Sequence, residues 1–156
     1  MSYKREIYEA AEKTFEITCF LFPLEEEEVS SESQERLLLS NMQSVVEFSG
    51  AIDGMVIITP SKSLLSAMAG NMLAIDEPNE AEKEEALCEV ANIISGNIAP
   101  IFSKEGDICY ISPPQLFDSR EKLTKKIRDS LKETVRIFLD EGIADIEVHY
   151  QAQEKP

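Results

Sequence analysis

Glu89 and Asn92 are the two residues of this chain whose types and spacing suit chemistry most directly. A carboxylate accepts hydrogen bonds and attracts cations, and an amide donates and accepts at once. Three apart on a helix, they point to the same side, where together they could hold a cation and steer a water. Gly96 comes one turn later on that face and removes the bulk of a side chain beside them. A glycine inside a helix costs roughly 1 kcal/mol against alanine, which suggests a close approach by something else. Spacing alone does not decide for chemistry. With 23 glutamates and five asparagines in 156 residues, about 0.7 such pairs arise by chance, and a capped surface helix accounts for them as well.

The helix that must carry the pair spans about 80–102. At 100° per residue Leu87, Val90, Ala91, Ile94, Ile98 and Ile101 fall on one side, as a buried stripe should. Glu82, Glu85, Glu89, Asn92 and Gly96 fall on another. Asn79 can cap this helix. Glu80, Glu82, Glu84 and Glu85 crowd its first turns, where the helix dipole favours negative charge, a plainer role than catalysis for that cluster.

The elements around it follow in order. Residues 3–22 predict a helix with a core stripe of Ile7, Ala10, Ala11, Phe15 and Cys19, stopped by Pro23. Residues 25–35 hold four consecutive glutamates and predict a solvated acidic loop, because a like-charged block repels itself and does not space its oxygens around an ion. Leu37 to Leu39 is a short apolar run that begins a strand-like stretch. Strands at about 44–51 and 55–59 are expected to join at Asp53-Gly54. A largely apolar helix over about 62–73 takes Ser61 or Ser63 as its cap, and its methionines read as core filler. Gly106 marks a turn, and 107–112 a short strand ending at Pro113-Pro114. Residues 115–131 send conflicting signals: Leu123, Ile127, Leu131 and Val135 sit four apart as in a helix, yet Thr134 to Leu139 is β-prone. Two closing strands are expected at about 132–139 and 145–151, with a turn at Asp140-Glu141-Gly142. Hairpins and three helices without a repeated βαβ rhythm mean an α+β fold, a mostly antiparallel sheet with helices packed on it. The 80–102 helix then lies on that sheet with Glu89 and Asn92 outward.

Composition narrows the function. A chain of 156 residues is expected to form one domain, 1–156, around one core. Its net charge of −15 leaves no basic surface for nucleic acid, and an anionic membrane would repel it. No apolar run approaches the roughly 20 residues that span a bilayer, and Met1 to Arg5 lead into no signal-peptide core. Cys19, Cys88 and Cys109, odd in number and far apart, fit reduced thiols in a cytoplasm and neither a disulfide framework nor a zinc site. The only histidine, His149, sits in a strand-like alternation that does not suit a nucleophilic pair. Glycine-rich phosphate loops, GxSxG, HExxH and EF-hand patterns are absent.

The order of motifs resembles one family. Glu89-x-x-Asn92-x-x-x-Gly96-Asn97 followed by Ile111-Ser112-Pro113-Pro114 is similar to the CheX-type chemotaxis phosphatases of the CheC/CheX/FliY family. Phe48 to Thr59 looks like that family's hairpin, and Ser63 to Leu73 like the helix after it. The set covers about 45–114. The resemblance implies a CheX-like fold and hydrolysis of the aspartyl phosphate of a phosphorylated CheY-like response regulator. Asn92 would orient the water and Glu89 would dock on the regulator's active-site lysine. It implies Mg²⁺ on the regulator, no cofactor bound by this chain, and a homodimer. Two departures stand out. The family often has Asp or Ser four residues before the glutamate, where this chain has Glu85. The first helix offers only Glu12-x-x-Phe15 and Glu16-x-x-Cys19, without the amide, so one site per chain is expected where CheC-type members carry two. The alternative is a non-catalytic module that binds a response regulator or joins the flagellar switch.

Overall fold

The structure, a computed structural model, describes residues 2–25, 28, 35–103, 107–118 and 130–151. Most of the acidic loop, the Gly106 turn and the helix-like spacing at Leu123 and Ile127 lie outside the described residues. The helices among the described residues are α1 (Lys4–Cys19), α2 (Lys62–Leu73) and α3 (Glu80–Ile98). The strands are β1 (Met42–Ser49), β2 (Gly54–Pro60), β3 (Tyr110–Ile111), β4 (Gln115–Asp118), β5 (Leu131–Leu139) and β6 (Gly142–Tyr150). They form one antiparallel sheet in the order β3-β1-β2-β6-β5, with β4 also on β1. The fold is α+β, three helices on an open antiparallel sheet.

Strand alternation decides which side the helices cover. Val46, Phe48, Val56, Ile58, Ile146, Val148, Ile137 and Leu139 share one sheet face and join the core with Ile7, Phe15, Leu64, Met68, Leu87 and Ile94 from the helices. The other face carries a smaller cluster, Val45, Met55 and Ile57, with Phe117 packed against it. Each fully buried Leu, Ile or Phe stabilises by roughly 1.5–3 kcal/mol, so the helical face holds most of the apolar gain.

Several boundaries differ from the sequence reading, each for a physical reason. α1 stops at Cys19, before Pro23, because Phe20 takes the left-handed conformation at φ 56° and the Leu21 N–H reaches back to the Phe15 carbonyl at 3.1 Å. Pro23 instead bridges to Leu139 at the end of β5. The hairpin forms where expected, but its loop is 50–53, and Gly54 is the first residue of β2 opposite Phe48. A Cβ at Gly54 would collide with the His149 carbonyl and the Phe48 ring, so close packing, and not turn geometry, demands glycine there. Leu37 ends a 3-10 turn (Glu35–Leu37), and Leu39 makes an isolated bridge to Ser61. The strand expected at 107–112 shortens to Tyr110–Ile111. Of the ambiguous stretch, 115–118 forms β4 and Leu131 and Val135 belong to β5. β3 and β4 pair with opposite ends of β1, as one edge strand interrupted at Pro113-Pro114. Proline lacks the N–H a ladder needs, and an edge tolerates it.

α3 follows its sequence closely. Asn79 accepts from the Glu82 N–H at 2.8 Å, and the Glu82 carboxylate accepts from the Asn79 N–H at 2.9 Å, a complete capping box. The α-helix ends at Ile98, short of 102, because Pro100 has no N–H to donate and its ring crowds the preceding turn. A 3-10 turn, Ala99–Phe102, finishes the run. Phe102 then stands among Tyr3, Phe48 and Tyr150, with ring centroids 4.6, 5.4 and 4.7 Å away. One end of α3 is thus set by its cap and the other by an aromatic anchor on the sheet.

Candidate functional site

Leu87, Val90, Ala91, Ile94 and Ile98 turn α3 onto the sheet, each at most 1% exposed. The opposite face therefore stands in solvent, and it holds Glu85, Glu89, Asn92 and Gly96, all exposed. Among the described residues, no hydrogen bond or ion pair engages the Asn92 amide or the Glu89 carboxylate. Both side chains can meet a partner. Structure and helical spacing agree on their shared face.

The surroundings come from distant parts of the chain. On one flank α1 lies against α3, and Ala10, Thr14, Ile17 and Thr18 line a groove of about 420 Å³ with Ile93 and Asn97. At the C-terminal end of α1, Cys19 contacts the Met72 sulfur of α2 at 3.8 Å, and its carbonyl accepts from the Asn71 side chain at 2.9 Å. Burial pushes the Cys19 thiol up to about 12, and the negative charge of Glu89 adds to the rise. The thiol is therefore protonated and inert at neutral pH. Cys88, half-buried, is raised first by burial and then by Glu84.

On the other flank stands the proline segment. Ile111 pairs with Phe48 in the sheet, and its Cδ1 lies 3.9 Å from where a Cβ on Gly96 would be. Ser112 fastens this segment to β1, donating its N–H to the Glu47 carbonyl at 2.8 Å and accepting the Glu47 N–H on its Oγ at 2.9 Å. So Gly96 and Ile111, separate in sequence, are neighbours one helical turn from Asn92. Among the described residues nothing needs Gly96 to be glycine, since a Cβ there would make only ordinary van der Waals contact. The space it leaves opens outward.

Other chemistry is less well provided for. Among the described residues no group of three or more His, Cys, Asp or Glu side chains is placed to hold a metal ion, and no helix is long and apolar enough to cross a membrane. His149 lies in β6, where burial holds its pKa below the ordinary value against the opposing pull of Glu147. Its Nδ1 is 3.5 Å from Ser130 Oγ, too long for an effective proton transfer. A concavity of about 650 Å³ lies between Glu47, Met55, Tyr110 and His149, and Glu89 is not among its lining residues.

The reading of the helix from sequence missed α1, whose Ile17 and Thr18 line a groove with Ile93 and Asn97. No local signal links Cys19 to Glu89 across seventy residues. The one sign was Phe20, a large apolar residue just where the α1 stripe runs out.

Comparisons with known proteins bear on this arrangement. The family described as chemotaxis phosphatase CheX matches residues 42–139. No curated protein matches the chain in sequence. Among solved structures, a CheX from Desulfovibrio desulfuricans is 17% identical with a TM-score of 0.73, over 97% of this chain and 100% of that one. A CheX solved as a CheX–CheY–BeF3–Mg²⁺ complex from Borrelia burgdorferi is 18% identical with a TM-score of 0.67, over 97% and 99%. FliY from Thermotoga maritima is 17% identical with a TM-score of 0.57, over 94% and 84%.

Proposed function

This chain belongs to the CheX family of chemotaxis phosphatases, and from that premise we propose that it hydrolyses the aspartyl phosphate of a CheY-like response regulator. The observation that carries the proposal is the outward face of α3, where Glu89 and Asn92 stand side by side, exposed and bonded to no described residue. The solved complex of a CheX with CheY, BeF3 and Mg²⁺ supports the choice of partner.

The chemistry divides between two proteins. The phosphorylated regulator brings Mg²⁺ and a lysine onto the phosphoryl oxygens, so most of the charge stabilisation is already in place. What remains is to position a water. Asn92 enters the regulator's site, accepts one hydrogen bond from the water on its Oδ1 and donates another from Nδ2, holding the oxygen in line with phosphorus. The water oxygen bonds to phosphorus as the acyl-phosphate bond breaks. The products are the free aspartate carboxylate and inorganic phosphate. An amide is a weak base, but a loose phosphoryl-transfer transition state asks little of one. Each tenfold of acceleration corresponds to about 1.4 kcal/mol, and fixing one water supplies several such steps.

Glu89 has the docking role. Its carboxylate pairs with the regulator's lysine and sets the register in which Asn92 arrives. The open space at Gly96 receives the regulator's adjoining loop. The Mg²⁺ in this reading belongs to the regulator.

The test is the decay of a phosphorylated cognate receiver domain with and without the protein. Faster decay that saturates with protein concentration supports the proposal. Saturable binding with unchanged decay would instead identify a docking module, the reading left open by Glu85 in place of Asp or Ser. For Glu89→Ala the expected result is weaker docking together with slower turnover.

A further inference from the structure

The outward line of α3 begins one turn before Glu89. At 100° per residue Glu85 projects within about 40° of Glu89 and about 20° of Asn92, opposite the buried stripe of Leu87, Ile94 and Ile98. The helical rise puts Glu85 about 6 Å along the axis from Glu89 and about 10 Å from Asn92. The order along the face is therefore Glu85, Glu89, Asn92, Gly96, all exposed.

The fold makes no use of the Glu85 carboxylate. The pull of the helix dipole fades after the first turn, which Glu80 and Glu82 occupy. Glu82 is taken up by the capping box, and Glu80 pairs with Lys83 at 3.6 Å. Glu85 stands in the second turn, and the residues three and four away from it are Ala81, Glu82, Cys88 and Glu89. Two of these repel it and neither of the others attracts it. Like charges at such spacing destabilise a helix. Among the described residues no hydrogen bond or ion pair engages Glu85.

We infer that Glu85 is a second docking carboxylate, which meets a basic group of the receiver domain one helical turn outward from the lysine that Glu89 meets. The inference rests on the phosphatase reading for the identity of the occupant. Continuity selects that occupant: a protein that lays its phosphoryl site against Asn92 and its lysine against Glu89 extends past Glu85 too, because the three lie on one line. Charge sets the chemistry. Two carboxylates without a described counter-ion, on a chain of net charge −15, attract a cation and repel an acidic rim. At the rim of an interface such a charge acts on docking and its salt dependence, not on the step at phosphorus. Glu85 thereby favours receivers that carry lysine or arginine at this place.

Three variants test it in the receiver-decay assay, together with calorimetric binding to the beryllofluoride-charged receiver. Glu85→Gln removes the charge, keeps the shape and relieves the repulsion along α3, so its Tm should stay within about 2 °C of the parent's. Its half-saturating concentration should nevertheless rise about threefold at about 0.01 M ionic strength, the effect of losing one exposed ion pair. That difference should vanish at about 1 M, where the Debye length falls to about 3 Å. The maximal rate should stay within about 1.5-fold of the parent's at both. Glu85→Asp, which keeps the charge, should recover most of the affinity. Glu84→Gln loses the same charge from a side chain that lines a groove with Lys62 and Ser66 of α2, and it should dock like the parent. If Glu85→Gln docks as tightly as the parent at low salt, or Glu84→Gln weakens docking equally, while Asn92→Ala abolishes the acceleration, the phosphatase reading stands and the role of Glu85 is wrong. A parent protein that neither binds the charged receiver nor speeds its decay overturns both.

Discussion

α1 and α3 are both acid-rich amphipathic helices on the same sheet, yet only α3 presents a Glu-x-x-Asn pair to solvent. In α1 the residues three beyond Glu12 and Glu16 are Phe15 and Cys19, both fully buried. In α3 the residue three beyond Glu89 is Asn92, which is exposed, while its neighbours Val90, Ala91 and Ile94 are buried. The acids differ in company as well. Glu9 pairs with Arg5 at 3.1 Å, and Glu12 faces Tyr8, whose pKa is raised by burial and then by that glutamate. Glu89 has no such partner among the described residues. What separates the helices is the phase of the glutamate against the buried stripe. A single step of 100° puts the fourth residue in the core or in solvent.

That comparison can be broken most forcefully at Phe15. Phe15→Asn writes the missing amide into α1, but at a position with 0% exposure. It should lose the transfer and cavity energy of the ring and bury an unpaired amide as well, about 4 kcal/mol or more. A fall in Tm of about 10 °C or more, with no second phosphatase site, is expected by calorimetry and the decay assay. If Phe15→Asn folded normally and restored activity to the Asn92→Ala protein, the argument from phase would end.

Ile94→Ala probes the buried side of α3 and should cost about 2–5 kcal/mol in denaturant unfolding. Its remaining folded fraction should keep the parent's maximal rate. A smaller loss, about 1 kcal/mol, is expected for Asn79→Ala, which removes the capping box; acceleration of receiver decay at saturation should change by less than about twofold. The smallest effect on stability belongs to Asn92→Ala, within about 0.5 kcal/mol of the parent, as for a surface position with no partner.

α3 was readable from sequence because its information is local. The cap at Asn79 and the stripe from Leu87 to Ile98 lie within about six turns, whereas the stop before Pro100 was not read and the helix was carried on to 102. The hairpin was readable in place but not in mechanism: Asp53-Gly54 drew the eye as a turn, and Gly54 is in fact a close-packed strand residue under Phe48. Of the edge formed by β3 and β4, β3 was expected as part of a longer strand, but β4 was not, because four residues carry almost no periodic signal and their partner, β1, lies some seventy residues earlier. The end of α1 misled for the opposite reason. Propensity points to Pro23 as the breaker, whereas a strained Phe20 stops the helix, against local preference. Of the candidate site, the shared face of Glu89 and Asn92 was legible, and its walls were not. Ile17 and Thr18 come beside Ile93 and Asn97 only through tertiary packing.

The central claim is that Asn92 acts on a partner's phosphoryl group and does nothing for its own fold. The direct measurement follows a phosphorylated cognate receiver over time with parent or Asn92→Ala protein at saturating concentration, alongside binding of each to the beryllofluoride-charged receiver. The account predicts that Asn92→Ala keeps binding within about threefold, which is under about 1 kcal/mol, and loses acceleration by about 100-fold, roughly 2.7 kcal/mol of transition-state stabilisation. An Asn92→Ala protein that speeds decay as the parent does would contradict it.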